Sequence, residues 1–297
     1  MKHWRDKGER GSEWLIRLIV WLARTVGRPA CRGLLYPIVL YFVATDRVAR
    51  QASAEFLGAA SKSPARWRDV FAHVYSFAAT LLDRVYMAVG DFDRFVVRVE
   101  GAALVERALA TGRGCVLLGS HLGSFDMMAL AGKSAGVRRV NIMMRVDPRS
   151  RVRRLAGVDD NVLGVIPLGQ PDSFLRAHEL LTRGEIVAVL ADRCDGRASV
   201  PVRFFGRETA MPVAPHILAA RSGASTLMCF GLYEGGNRYR IEFVECGAAA
   251  PLQSRGSDLV PYVERYAAVL ECYARRYPKN WFNFYSYWDA DSKAKRK

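Results

Sequence analysis

The sequence lacks the motifs that mark several common classes of protein. It has no P-loop and no Gly-x-Gly-x-x-Gly turn after a strand, so no nucleotide-binding fingerprint is present. It has no Gly-x-Ser-x-Gly elbow, which counts against a serine hydrolase. Its six cysteines show no paired spacing typical of a metal site, and several lie in apolar runs. We therefore expect buried free thiols in a reducing compartment and no bound metal.

No apolar run reaches the ~20 uninterrupted residues that a membrane-spanning helix needs. Residues 14–24 and 33–44 are apolar but shorter, and Arg17 and Arg24 interrupt the first of them. Three tryptophans lie near arginines in the first 21 residues, a composition typical of a helix at a membrane interface. We predict that residues 1–45 form a membrane-anchoring helical segment. A helical hairpin packed on the core and a single spanning helix are the alternatives.

Acidic residues are scarce relative to basic ones. The chain has 29 Asp and Glu against 44 Lys and Arg, which gives a formal net charge of +15. This balance favours anionic partners, namely membrane lipid, nucleic acid or an acidic protein. We expect no nucleic-acid binding, because the chain has no recognised module for it and its aromatic residues are not interleaved with its basic run.

Strand and helix patterns alternate along most of the 297 residues. Apolar runs predict strands over residues 95–99, 115–118, 140–144, 162–166, 186–191, 225–232 and 238–244. Helical patterns are predicted over residues 47–60, 67–88, 102–110, 172–181, 213–221 and 258–277. This order indicates an α/β protein with a mixed, largely parallel sheet flanked by helices.

The stretch from Gly114 to Leu130 predicts a buried strand, a glycine-rich turn and the start of a helix. His121 lies where the strand ends, and open α/β sheets bind their ligands outside such ends. Asp126 follows five residues later, and the glycines allow the turn to fold back. Its carboxylate could then hold one ring nitrogen of His121 and leave the other as a base. A purely structural histidine in the turn is the alternative.

Two other predicted strands end in charged residues, Arg145 and the pair Asp192–Arg193. If these strands are parallel neighbours of the strand before His121, all of these groups converge at one edge of the sheet. Arg145 and Arg193 could then neutralise a phosphate or a developing oxyanion, or they could be ordinary surface charges. Asp192 could simply hold Arg193 in place.

The spacing His121-x4-Asp126, with Gly123 inside it, resembles the first motif of the glycerolipid acyltransferase superfamily. Three further segments resemble later blocks of the bacterial lipid A biosynthesis acyltransferase family within that superfamily. Met144-Arg145-x-x-Pro148 resembles the second block. The third and fourth blocks are resembled by Ala191-Asp192-Arg193 and by Val200–Gly206 followed by Pro212. Both ends of the chain resemble a subgroup of predicted acyltransferases, at Glu9–Ser12 and at Asn280–Tyr285. Some members of that subgroup accompany the biosynthesis of aryl-polyene and related pigment lipids.

The resemblance implies an acyl transfer in which His121 deprotonates an acceptor hydroxyl and Asp126 orients the imidazole. The hydroxyl oxygen would attack an acyl thioester directly, with no acyl-enzyme, no metal and no cofactor besides the thioester. The residues implied in substrate binding or oxyanion stabilisation are Arg145, Asp192, Arg193, Gly123 and Ser124. Those implied in lining an acyl groove are Phe204, Phe205 and Pro212.

The family also implies partners and a location. The acyl donor would be an acyl carrier protein or CoA thioester, and the protein would act at the cytoplasmic face of the bacterial inner membrane. Residues 46–290 would form the acyltransferase domain, and residues 291–297 a basic tail. A lipid A-like glycolipid, an aryl-polyene lipid, an ornithine or glycine lipid and a lysophospholipid all fit as acceptors. An inactive, membrane-peripheral lipid-binding protein is the alternative from another class.

Overall fold

The computed structural model describes residues 25, 27–88, 91–124, 127, 140–145, 163–194, 198–247, 250–254 and 256–288. Its contacts divide the chain into two units. The first contains Met1–Phe95, Asp147–Val158 and Pro278–Lys297, and the second contains Val96–Val146 and Asp159–Tyr277.

A seven-stranded sheet forms the centre of the second unit. Its strands are β1 (Val96–Glu100), β2 (Cys115–Gly119), β3 (Val140–Met144), β4 (Leu163–Pro167), β5 (Ile186–Leu190), β8 (Ser225–Gly235) and β9 (Arg238–Glu245). Their order is β1-β9-β8-β2-β5-β3-β4. Every neighbouring pair in it is parallel except β8 with β9, which form an antiparallel hairpin. The prediction of a mixed, largely parallel sheet is therefore confirmed.

Helices pack on this sheet, and they are α4 (Ala102–Ala110), α5 (Ser173–Thr182), α6 (Ala214–Ser222) and α7 (Val260–Arg276). Helix α4 contacts β2, β8 and β9. Helix α5 contacts β3, β4 and β5, and helix α6 contacts β2. Every residue of β2 is buried, and so are the first four of β5. A strand covered on both sides must be apolar throughout, which explains why continuous apolar runs predicted these strands.

A two-stranded hairpin of β6 (Ser199–Phe204) and β7 (Arg207–Pro212) lies beside α7. Its turn places Phe205 at a φ of 54° and Gly206 at 75°, the left-handed conformations of a tight hairpin turn. The Phe205 N–H donates to the carboxylate of Glu271 on α7. The Arg275 guanidinium lies 4.5 Å from the centre of the Phe205 ring. These contacts fix the tip of the hairpin on α7.

The first unit contains α1 (Arg28–Thr45), α2 (Arg47–Ser61) and α3 (Trp67–Ala88). Arg28 donates from Nε and from a terminal nitrogen to the two carboxylate oxygens of Asp83, at 2.7 and 2.8 Å. Arg32 lies 3.8 Å from the same carboxylate, which has no exposed surface. A buried carboxylate is tolerated when it is paired and hydrogen bonded. Because the arginines lie on α1 and Asp83 lies on α3, this ion pair holds the two helices together.

His73 joins α2 and α3 to the aromatic segment near the carboxyl terminus. Its Nε2 lies 2.9 Å from the Trp281 carbonyl oxygen, and its Nδ1 lies 2.7 Å from Ser53 Oγ. Since a carbonyl only accepts, Nε2 carries the proton and Nδ1 accepts from the Ser53 hydroxyl. Burial lowers the pKa of His73 to about 4, so the ring is neutral at pH 7.

No helix in the described ranges is long and apolar enough to cross a membrane. Of the predicted anchoring segment 1–45, all residues before Thr25 lie outside the described residues, as does the predicted basic tail 291–297. The second apolar run of that segment lies in α1, which packs against α3.

Candidate active site

Three strands of the sheet end in the residues that the sequence singled out. β2, β5 and β3 are neighbours and run parallel, so their carboxyl ends lie at the same edge of the sheet. Gly119 pairs with Leu190, so His121 and Asp192 each lie two residues beyond the same rung. Arg145 directly follows β3. The predicted convergence at one edge is therefore found in the described strands.

His121 is held by Asp192. The Nδ1 atom of His121 lies 2.8 Å from Asp192 Oδ1, and the backbone N–H of His121 donates to Oδ2 at 3.0 Å. The Asp192 side chain is fully buried, whereas that of His121 is 26% exposed. An ionised carboxylate only accepts hydrogen bonds, so Nδ1 carries the proton and Nε2 is the basic nitrogen. One carboxylate thus fixes both the backbone and the ring of His121.

The electrostatics of this pair favour a neutral imidazole next to an ionised carboxylate. Burial lowers the pKa of His121, the charge of Asp192 opposes that effect, and Arg193 reinforces it. The pKa of His121 therefore lies below its usual 6.5. Burial acts to raise the pKa of Asp192, but His121 and Arg193 hold it well below its usual value. At pH 7 His121 is thus ready to accept a proton at Nε2.

The contact with His121 gives Asp192 a role that was not predicted for it. The sequence suggested that Asp192 holds Arg193 or binds substrate, and it assigned the orientation of His121 to Asp126. In the structure Asp192 bonds to the imidazole directly. Asp126 lies outside the described residues, so its role stays a prediction.

The turn after His121 lies against β8 through two glycines. Gly123 has a φ of +84° and forms a bridge with Gly231, and Ser124 N donates to the Gly231 carbonyl at 2.7 Å. A Cβ atom on Gly123 would collide with the Gly231 oxygen, and one on Gly231 would collide with the Ser124 oxygen. Gly123 was predicted to bind substrate. Its described contacts show that the lack of a side chain at this position allows the turn to approach β8. Gly231 was not predicted, although a glycine within a strand signals close backbone approach.

Tyr266 on α7 is a second residue that the sequence did not reveal. Its hydroxyl donates to the Gly119 carbonyl at 2.8 Å, and the Ala191 N–H donates to the same oxygen at 3.0 Å. Gly119 lies two residues before His121, and Ala191 lies directly before Asp192. The bonds to this one carbonyl therefore hold together the chain segments that carry the pair.

The hydroxyl of Ser124 is buried and has no hydrogen-bond partner among the described residues. Burying a hydroxyl without a partner costs about 1–3 kcal/mol, so native proteins rarely do so without a reason. The hydroxyl lies three residues after His121 in the same turn. It can donate a hydrogen bond to a substrate atom.

The cationic residues predicted at the site are Arg145 and Arg193. Arg145 is exposed and Arg193 is half-buried directly beside Asp192. The described residues contain no group of three or more His, Cys, Asp or Glu side chains that could hold a metal ion.

The residues predicted to line an acyl groove belong to the small hairpin. Phe204 is fully buried and contacts Phe205 edge to face at 4.7 Å between ring centres. Phe205 forms the turn that is fixed on α7, and Pro212 is the last residue of β7. These contacts describe a packed hairpin, and a role in binding an acyl chain stays a prediction.

Replacing Gly231 with Ala is expected to damage the site from a distance. The new Cβ would meet the Ser124 carbonyl oxygen, so the turn that carries His121 must move away from β8. Overpacking of this kind costs roughly 1–3 kcal/mol. We expect a lower melting temperature together with a lower activity of the site that contains His121.

The matched control is Gly33→Ala in α1, where an added Cβ meets no atom within 4 Å. This variant should be as stable as the wild type or slightly more stable, because alanine favours helices. A Gly231→Ala protein that melts and reacts like the wild type would show that the close approach is unimportant.

Comparisons with known proteins agree with this geometry. The sequence profile described as bacterial lipid A biosynthesis acyltransferase matches residues 9–289. The phosphatidylinositol mannoside acyltransferase of Mycobacterium tuberculosis (strain ATCC 25618 / H37Rv) is 31% identical over 175 residues, or 57% of this chain and 51% of that protein. The protein of the same name from Mycolicibacterium smegmatis is 28% identical over 193 residues, or 64% of this chain and 62% of that protein. The chain thus matches about half to three fifths of the length of these relatives.

Proposed function

Because the chain belongs to the bacterial lipid A biosynthesis acyltransferase family, we propose that it transfers a fatty acyl group from a thioester to a hydroxyl of a lipid. The observation that carries this proposal is the bond between His121 Nδ1 and the buried carboxylate of Asp192. That bond leaves Nε2 as the basic nitrogen of a side chain that is partly exposed. A neutral histidine oriented by a carboxylate is the arrangement that a general base requires.

In the proposed reaction Nε2 of His121 removes the proton from the acceptor hydroxyl. The hydroxyl oxygen attacks the carbonyl carbon of the thioester at the same time. A tetrahedral intermediate forms, the carbon–sulfur bond breaks, and the thiolate leaves. The imidazolium of His121 returns the proton to the sulfur, so the enzyme is unchanged at the end. Ser120 has no part in the proposed mechanism, and its buried hydroxyl accepts from the Leu122 N–H within the turn.

The negative charge of the intermediate needs hydrogen-bond donors or cations nearby. Ser124 is one proposed donor, because its hydroxyl is buried without a partner among the described residues. Arg145 and Arg193 are the proposed cations, because they follow β3 and β5 at the edge where His121 lies. Either arginine could instead bind a phosphate of the donor or the acceptor.

For the donor we propose an acyl carrier protein or CoA thioester, and for the acceptor a membrane lipid. Both donors are acidic, and the net charge of +15 favours their approach. The names of the two relatives support a glycolipid acceptor, such as a lipid A-like molecule. An aryl-polyene lipid, a lysophospholipid and an ornithine or glycine lipid are the other candidates. An inactive lipid-binding protein is disfavoured, since it has no need of the His121–Asp192 pair.

Lipid analysis of the host tests the proposal. We expect a strain without the gene to lose one lipid species and to accumulate the same lipid with one acyl chain fewer. The intact gene should restore the missing species, whereas a gene encoding His121→Asn should not. Mass spectrometry of the three strains would also identify the acceptor. Indistinguishable lipid profiles in all three would contradict the proposed acyl transfer.

A further inference from the structure

Helix α1 presents an uncharged apolar face. Leu34, Ile38, Tyr41 and Phe42 are 47, 44, 64 and 46% exposed, and their spacing places them on one side of the helix. Val39 and Val43 lie on the opposite side and are buried. The helix has no acidic residue, and its only charged side chains, at 28 and 32, are directed to Asp83. The exposed face therefore carries no charge.

Leu40 and Tyr36, which are 49 and 56% exposed, extend the exposed apolar side of α1 around the helix to a row of aromatic rings on α3. Trp67, Phe71 and Tyr75 follow each other at intervals of four residues, with ring centres 5.5 and 6.4 Å apart. Tyr36 of α1 joins the row at 6.1 Å from Phe71 and 4.7 Å from Tyr75. Trp67 and Tyr36 are each 56% exposed. The two helices thus share one aromatic surface.

Basic residues border this surface at the start of α3. Lys62, Arg66 and Arg68 are exposed and lie within five residues of Trp67 in the sequence. The helices run antiparallel, since Arg28 meets Asp83 whereas Tyr36 meets Phe71. The carboxyl-terminal half of α1 therefore lies toward the end of α3 that carries Trp67.

We propose that this surface docks the protein onto a lipid bilayer with anionic headgroups, with α1 lying in the plane of the interface. Apolar side chains on one helix face, tryptophan and tyrosine beside them and bordering cations are the combination that such an interface binds. Exposed apolar patches of this kind are uncommon on proteins without a docking partner. The inference rests on the proposed function only in that a membrane lipid is the acceptor.

The orientation of α1 follows from its other face. That face holds the buried ion pair of Arg28 with Asp83, a contact incompatible with surrounding the helix by lipid. We therefore infer docking by one face and not by spanning.

Sedimentation with vesicles tests the surface. Wild-type protein should sediment with vesicles of phosphatidylcholine and phosphatidylglycerol, more weakly with phosphatidylcholine alone, and less as salt is added. The double variant Tyr41→Glu/Phe42→Glu should partition at least about tenfold less, because each side chain loses its apolar transfer energy. Circular dichroism checks that the variant is folded.

The matched control is Leu175→Glu/Leu252→Glu, which adds the same charge at residues that are 60 and 55% exposed in the other unit. It should bind vesicles nearly as the wild type does. Equal losses in the two variants would assign the effect to net charge alone and overturn the proposal. A His121→Asn protein should bind vesicles normally although its acyl transfer is strongly slowed, so the two proposals can fail separately.

Two other occupants of the surface give different results. If residues 1–24 cover it and anchor the protein themselves, deleting them would abolish sedimentation while Tyr41→Glu/Phe42→Glu would not. If a second copy covers it, the double variant would change the mass measured by light scattering and still sediment with vesicles. Either result would overturn the assignment of this surface to the bilayer.

Discussion

Replacing His121 with Asn is expected to lower the rate of acyl transfer by about 10³-fold or more, since a general base typically contributes about 10²–10⁴-fold. Asn has no basic nitrogen, so in the proposed mechanism the acceptor hydroxyl keeps its proton. Its amide N–H can still donate to Asp192, which keeps the buried carboxylate hydrogen bonded. The loss should therefore appear in kcat, with little change in the melting temperature. Turnover of an acyl thioester with the host lipid extract measures it.

His178→Asn is the matched control, since His178 lies half-buried on α5. We expect this variant to react at the wild-type rate. His121→Ala is the harsher companion, because it removes the donor to Asp192 and should also reduce stability. If His121→Asn retained most of the wild-type kcat, the general-base mechanism would have to be abandoned.

Replacing Asp192 with Asn is expected to lower kcat by about 10²-fold or more. The single oxygen of Asn can accept from the backbone N–H of His121, as Oδ2 of Asp192 does. The amide nitrogen then faces Nδ1, and it can only donate. The ring must move its proton to Nε2, which is the atom that should receive a proton from the substrate. The substitution thus selects the inactive tautomer with almost no change in volume.

The pH profile of the same variant supplies a second test. The pKa of His121 lies below its usual 6.5, so wild-type kcat/KM should hold at neutral pH and fall as the pH drops through that lower value. The charge of Asp192 raises the pKa of His121. Removing that charge should move the acidic limb of the profile to still lower pH. A limb that moves upward or stays in place would contradict the electrostatic role of Asp192.

Asp126→Asn decides which carboxylate orients the imidazole. If the pair seen in the structure is the catalytic one, Asp192→Asn should shift the acidic limb and Asp126→Asn should not. The reverse result would return that role to Asp126, as the sequence motif implied. Asp172→Asn, at an exposed position before α5, controls for loss of an acidic side chain elsewhere.

The central strands could be predicted because their physical requirements are local. β2, β3 and β5 are covered by protein, so each is a short apolar run, and a charged or polar turn follows each of them. His121, Arg145 and Asp192 were predicted to lie at one edge of the sheet on the assumption that these strands are parallel neighbours. The family motifs identified the same residues independently.

The contacts within the site could not be predicted, because they depend on tertiary approach. The bond between His121 and Asp192 joins residues 71 positions apart, and it depends on the register of β2 against β5. Gly231 matters because the turn after His121 approaches β8, and Tyr266 because α7 passes near Gly119. A glycine within a strand signals a close approach at Gly231 but does not identify the partner, and no local pattern reports the contact of Tyr266.

The ion pair between Arg28 and Asp83 limits how far the chain can be shortened. A deletion that ends at residue 45 would remove both Arg28 and Arg32 from a carboxylate without exposed surface. Breaking a buried ion pair costs roughly 3–5 kcal/mol, which is a large fraction of the 5–15 kcal/mol that keeps a typical protein folded. Shortened proteins should therefore begin no later than Gly27. A phenotype from a deeper cut would report misfolding and not the loss of a membrane anchor.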